Sequence, residues 1–117
     1  MDEREFKART KKVALGVIEI VETLPKGRTA DVLGKQLLRS ATSVGANYRA
    51  ACRSKSTADM INKLAIVEEE ADESIYWMEL LVESKMASVA QLEPMMSEMD
   101  QICAMIVASI KTLRSRR

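Results

Sequence analysis

From Gln36 to Leu81 the chain reads QLLRSATSVGANYRAACRSKSTADMINKLAIVEEEADESIYWMELL. Apolar residues return there at every third or fourth position in two long runs, parted only by a short polar turn at Ser54-Lys55. That period belongs to the α-helix and not to a strand. Each run carries apolar stripes with charged residues between them, so neither helix can stand alone and both need partner helices. The remainder of the chain is built to supply them. Only four aromatic residues occur (Phe6, Tyr48, Tyr76, Trp77) against eight methionines. A core of Leu, Ile, Val, Met and Ala favours helices over a sheet sandwich.

Helix 1 is expected over about 3–24. Asp2 can cap its first turn with Glu5 three residues on, and Phe6, Val13, Val17, Ile20 and Leu24 make its apolar face. Leu24-Pro25-Lys26-Gly27 ends it, because Pro25 cannot continue the hydrogen-bond ladder and Gly27 tolerates positive φ. Helix 2 is expected over about 30–53, starting near Thr29 to Asp31. Its core face is Leu33, Leu37, Ala41, Val44 and Tyr48, with a strip of Gln36, Ser40, Ser43 and Asn47 beside it.

Ser56, with Asp59 three residues later, caps a third helix over 56–84. Met60, Leu64, Val67, Ala71, Ile75, Met78 and Val82 form its core face. A second line of Ile66, Glu70, Glu73, Trp77 and Leu80 mixes acids with large apolar groups. Ser88 with Gln91 caps helix 4, over 88–115, on a stripe of Leu92, Met95, Met99, Ile102, Ile106, Ile110 and Leu113. Pro94 places either the true start of that helix or a distorted first turn. Four amphipathic helices with short connections predict an all-α, antiparallel, up-down-up-down four-helix bundle, with 1–117 as one domain. An extended helical hairpin completed by dimerisation is the other arrangement such stripes permit.

Net charge is +1, yet residues 1–55 carry twelve basic and six acidic side chains, and residues 56–117 six basic and eleven acidic. Such asymmetry steers a partner or pairs one half with the other across a subunit contact. No apolar run approaches the roughly 18 residues that span a bilayer. The start MDEREFKARTKK is charged from its second residue, so no secretory leader and a cytoplasmic protein are expected. Cys52 and Cys103 lie in no CxxC pair and read as two reduced thiols.

The chain has no histidine, which removes the usual triads and the commonest metal ligand. Glu68-Glu69-Glu70-Ala71-Asp72-Glu73 is dense in carboxylates but confined to one helix, whereas bundle di-metal sites draw theirs from facing helices. No metal, cofactor or catalytic residue is expected, and no enzyme. Ser40 and Ser43 have no base to activate them. They read as small residues that let helices approach, with Asn47 supplying a buried hydrogen bond that fixes register. Lys35 with Arg39 and Arg49 with Arg53 are like-charged i,i+4 pairs, a spacing that helix stability alone does not favour. They suit carboxylate partners, phosphate or water. Lys111, Arg114, Arg116 and Arg117 complement the negative end of helix 4.

Two segments, LPKGRTADVLGKQLLRSATSVGANYRAACRSKS and EEADESIYWMELL, resemble the bacterial four-helix bundle family first named for proteins encoded in intervening sequences of large-subunit ribosomal RNA genes. The resemblance covers residues 6 to about 113. It implies a left-handed up-and-down bundle, cytosolic, commonly a homopentamer, with no known enzyme activity. The accessory variability protein of diversity-generating retroelements is related in fold, and is a basic pentamer that binds reverse transcriptase and nucleic acid. Met60 stands where the family pattern has phenylalanine. Glu69 stands where it has lysine, which makes helix 3 more acidic.

Two functional expectations follow. One is a structural or scaffolding homo-oligomer with protein partners, held partly by Ile66, Glu70, Glu73, Trp77 and Leu80, with Glu70 and Glu73 facing Arg39 or Arg49 of a neighbour. The other is an accessory protein that contacts RNA or DNA phosphates through Lys35, Arg39, Arg49 and Arg53.

Overall fold

The computed structural model describes residues 2–116. Among them four helices account for the regular structure: α1 (Glu3–Glu22), α2 (Arg28–Cys52), α3 (Thr57–Glu83) and α4 (Val89–Ser115). Each packs against its two neighbours around a square, α1 on α2 and α4, and α3 on α2 and α4. The result is an all-α up-down-up-down bundle about 48 × 22 × 21 Å. Arg117, expected in the basic end of α4, lies outside the described residues.

The expected caps are in place. Asp2 accepts from the Glu5 N–H at 2.7 Å, Ser56 from the Asp59 N–H at 3.1 Å, and Ser88 with Gln91 forms a reciprocal capping box. α1 stops at Glu22, two residues earlier than its apolar spacing suggested. The Thr23 hydroxyl and N–H both donate to the Ile20 carbonyl, at 2.7 and 2.9 Å, and this tightened turn ends the helix ahead of Pro25. Gly27 is the N-cap of α2 at φ 153°, a backbone region that L-residues rarely adopt, so α2 starts at Arg28 rather than at Thr29 or beyond.

α3 ends with Lys85 at φ 65°. Met86 donates to the Leu81 carbonyl at 2.9 Å and Lys85 to that of Val82 at 3.0 Å, the two bonds of a Schellman stop. Pro94 neither starts α4 nor ends it. The helix runs through it from Val89, with Ala90 and Pro94 both on the exposed side, where water can take the carbonyl that proline leaves unpaired.

One core fills the bundle. Phe6, Val17, Leu37, Val44, Leu64, Met78, Leu81, Leu92, Met99, Ile102 and Ile106 are completely or almost completely buried. Phe6 meets Tyr48 with ring centroids 4.5 Å apart. At roughly 2 kcal/mol per buried Leu-sized side chain, these stripes drive assembly of the four helices. The α3 seam departs from its expected line at three points. Ile61, Ser74 and Leu81 are buried, while Met60, Ile75 and Val82 flank the core half-buried.

Candidate interaction surfaces

Ser40 and Ser74 lie fully buried where α2 crosses α3. Their hydroxyls are 2.9 Å apart, with the Glu70 carbonyl 2.8 Å from Ser74 and the Leu37 carbonyl 3.2 Å from Ser40. Two protons serve these three contacts, one bridging the hydroxyls and one going to a carbonyl, so both donors are satisfied. This pair does the work expected of Asn47, whose amide instead donates to the Ser43 carbonyl of its own helix at 2.8 Å. Ser43 likewise bonds locally, to the Arg39 carbonyl at 2.7 Å.

Above the serines, Arg39 reaches across from α2 to α3. One guanidinium nitrogen lies 3.3 and 3.2 Å from the two Glu70 oxygens, and the other 2.6 Å from Glu73. The same Glu73 oxygen accepts from the Trp77 indole N–H at 3.2 Å. Glu73 foremost, then Glu70, pushes the Arg39 pKa up. Glu70 and Glu73 therefore meet Arg39 of their own chain, where a neighbour's arginine was expected. Of the four cations read as phosphate contacts, Arg39 is engaged. Lys35, Arg49 and Arg53 are exposed and make no ion pair among the described residues.

The second line of α3 divides. Trp77 and Leu80 are half-buried, and Trp77 packs against the core, while Ile66 is 41% exposed. Tyr76, which the sequence pattern did not single out, is 52% exposed and stacks edge-on against Trp77 at 5.2 Å. Exposed acids surround it: Glu69, Asp72, Glu79 and Glu83, none in an ion pair among the described residues.

A trough of about 700 Å³ runs between α1 and α2 on the outer surface. Small residues, Ala8, Gly45 and Ala46, line it beside the buried Thr10, and Arg4, Lys11 and Arg49 stand along it. A Cβ on Gly45 would lie 3.1 Å from the Thr10 hydroxyl, so this glycine sets the close approach of α1 to α2. The basic residues of α1 lie outside the like-charged pairs of α2 that the sequence singled out, yet they too have a local signature. The available signal was Arg4, Ala8, Lys11, Leu15, one exposed line at alternating spacings of four and three.

The remaining chemistry is sparse. Arg9 links α1 to α4 with two bonds to Glu98, at 2.9 and 2.7 Å, and hydrogen bonding to Arg9 draws the Glu98 pKa down. Cys52 and Cys103 are free thiols whose pKa burial pushes up, which disfavours the reactive thiolate. Among the described residues no three His, Cys, Asp or Glu side chains converge as a metal site requires, and no helix is long and apolar enough to cross a membrane.

The model of the 23S rRNA-intervening sequence protein family matches residues 3–108. The chain belongs to that family. Among solved structures it is similar to a protein of unknown function from the S23 ribosomal protein family of Bacteroides thetaiotaomicron VPI-5482. The two share 35% identity at a TM-score of 0.84, over 91% of this chain and 98% of that one. No curated protein matches. The family and the four-helix architecture agree with the resemblance carried by the α2 and α3 segments, and family and neighbour alike are of unknown function.

Proposed function

We propose that this member of the intervening-sequence protein family is a non-catalytic cytosolic scaffold that self-associates into a ring-like homo-oligomer and acts through protein partners. The observation that carries the reading is the outward face of α3, where Ile66 and Tyr76 stand exposed beside acids that make no ion pair among the described residues. An aromatic and a β-branched side chain on one helix face suit a buried contact better than water. Five copies is the number that the family resemblance implies. Light scattering at micromolar concentration tests it: a mass of several times 13.1 kDa is expected, and a mass of one chain refutes it.

A second reading has its own observation. Lys35, Arg49 and Arg53 make no ion pair among the described residues, and Arg49 stands with Arg4 and Lys11 along one trough. On this reading they hold RNA or DNA phosphates without sequence preference. Replacing Lys35, Arg39, Arg49 and Arg53 by glutamine should then abolish binding that falls steeply with salt. Unchanged affinity would remove the α2 cations from consideration.

A further inference from the structure

Arg4, Lys11 and Arg49 along the α1–α2 trough are exposed, and none has an ion-pair partner among the described residues. Ala8, Gly45 and Ala46 line the trough between them, together with Thr10, Thr42 and Leu15. So many short side chains between two helices leave room for a large side chain carried on another helix, and the flanking cations select an acidic one.

An element of that description exists in the chain itself. The outward ridge of α3 presents Tyr76 as an exposed knob, with Asp72 four residues before it and Glu79 three residues after. Asp72 and Glu79 are seven residues apart, as are Arg4 and Lys11. At 1.5 Å per residue both spacings are about 10 Å along the helix axis. One bundle cannot bring its own ridge to its own trough, because each helix of the square already holds its place between two neighbours. The ridge must come from another molecule.

We propose that the α1–α2 trough seats the outward ridge of α3 from a second copy of this chain, with Tyr76 against Ala8, Gly45 and Ala46 and Asp72 and Glu79 beside the trough cations. This rests on the self-association reading and names its missing half, the surface that receives α3. The contact joins two different faces, so each copy has one trough and one ridge to offer, and a chain of such contacts closes into a ring when the rotation allows.

Charge reversal on full-length protein tests it. Lys11→Glu with Arg49→Glu should reduce the assembly to a single-chain mass while the helical circular dichroism stays at its wild-type value. Asp72→Lys with Glu79→Lys should do the same. The four substitutions together restore opposite charges across the contact and should restore the oligomer. If a reversed variant loses its helical signal, Lys11→Gln with Arg49→Gln replaces it, and should raise the dissociation constant at least tenfold. A wild-type oligomer that neither double variant disturbs, or a fourfold variant that stays dissociated while both doubles dissociate, overturns the pairing and leaves self-association standing. A wild-type mass of one chain overturns both. Loss of RNA binding with assembly intact would give the trough to phosphate and also overturn the pairing.

Discussion

Replacing Arg9 by glutamine should reveal how much the α1–α4 contact depends on one ion pair. α1 is the shortest of the four helices, and Arg9 grips Glu98 through two nitrogens at 2.9 and 2.7 Å, with side chains 30% and 28% exposed. Fully exposed pairs contribute about 0.2–1 kcal/mol and hydrogen bonds to charged groups about 1.5–3. Two-thirds burial and bidentate geometry place this pair between them, at about 1–2 kcal/mol, or roughly 4–8 °C in melting temperature. Glu98→Gln keeps one acceptor and should lose less, about 1 kcal/mol. In the folded chain the Glu98 pKa lies below its ordinary 4.5, so the pair contributes fully above that value. Its contribution fades as pH falls through the folded pKa. Urea titrations of wild type, both single variants and the double variant, at one protein concentration, should give a coupling energy near 1 kcal/mol at neutral pH and a smaller one in acid, below the folded Glu98 pKa. A coupling of similar size at both pH values would refute the assignment to charge. Additive single variants at neutral pH would refute the pair altogether.

At the α2–α3 crossing, Ser40→Ala and Ser74→Ala should each cost about 1 kcal/mol, and the double variant clearly less than their sum, because both single variants lose the same shared bond; additive losses in thermal melts would contradict the shared bond. Lys85→Gly should stabilise by about 0.5–1 kcal/mol, since a lysine at φ 65° pays a steric cost that glycine avoids, and a lower melting temperature would show that the lysine side chain contributes more than its strain. Arg39→Gln frees Glu73 to bond the Trp77 indole alone, so tryptophan emission should shift while helicity holds; an unchanged spectrum would mean that the bridge does not hold Glu73 in place.

The architecture was legible because three side-chain caps and four stripes agree, and each kind of signal is local. Where the reading slipped, it slipped for a physical reason. In α3 a straight-helix period of 3.6 carries the core line from Leu64 through Met78 out to Met60, Ile75 and Val82. Helices that stay in contact along their length follow a period nearer 3.5, and the difference amounts to about 20° per seven residues. That drift brings Ile61 and Leu81 inward and puts Ser74 in the core, where hydropathy alone would never seat a hydroxyl. Its acceptable burial depends on Ser40, thirty-four positions away, a partnership invisible to any local pattern. The same limit explains Arg39. Its charge and spacing announced a need for an anion, but only the crossing of α2 over α3 shows that Glu70 and Glu73 already meet it.

With Arg39 and Arg9 satisfied inside the chain, the remaining charge follows the order of the helices. Consecutive helices are neighbours in this topology, so the basic first half becomes the α1–α2 side and the acidic second half the α3–α4 side. A two-fold dimer sets a patch against its own copy, which on either side would bring like charges together. Head-to-tail contact sets the α1–α2 side of one copy against the α3–α4 side of the next, and every contact then joins opposite charges. The distribution of charge thus weighs against a symmetric dimer and for the head-to-tail contact of the proposed ring, independently of which side chains touch. Such a ring should loosen as salt rises from about 0.05 to 0.5 M, because exposed pairs are screened over a few ångströms at the higher value. A dimer held by its apolar residues alone would keep its mass or tighten, and sedimentation across that salt range distinguishes the two.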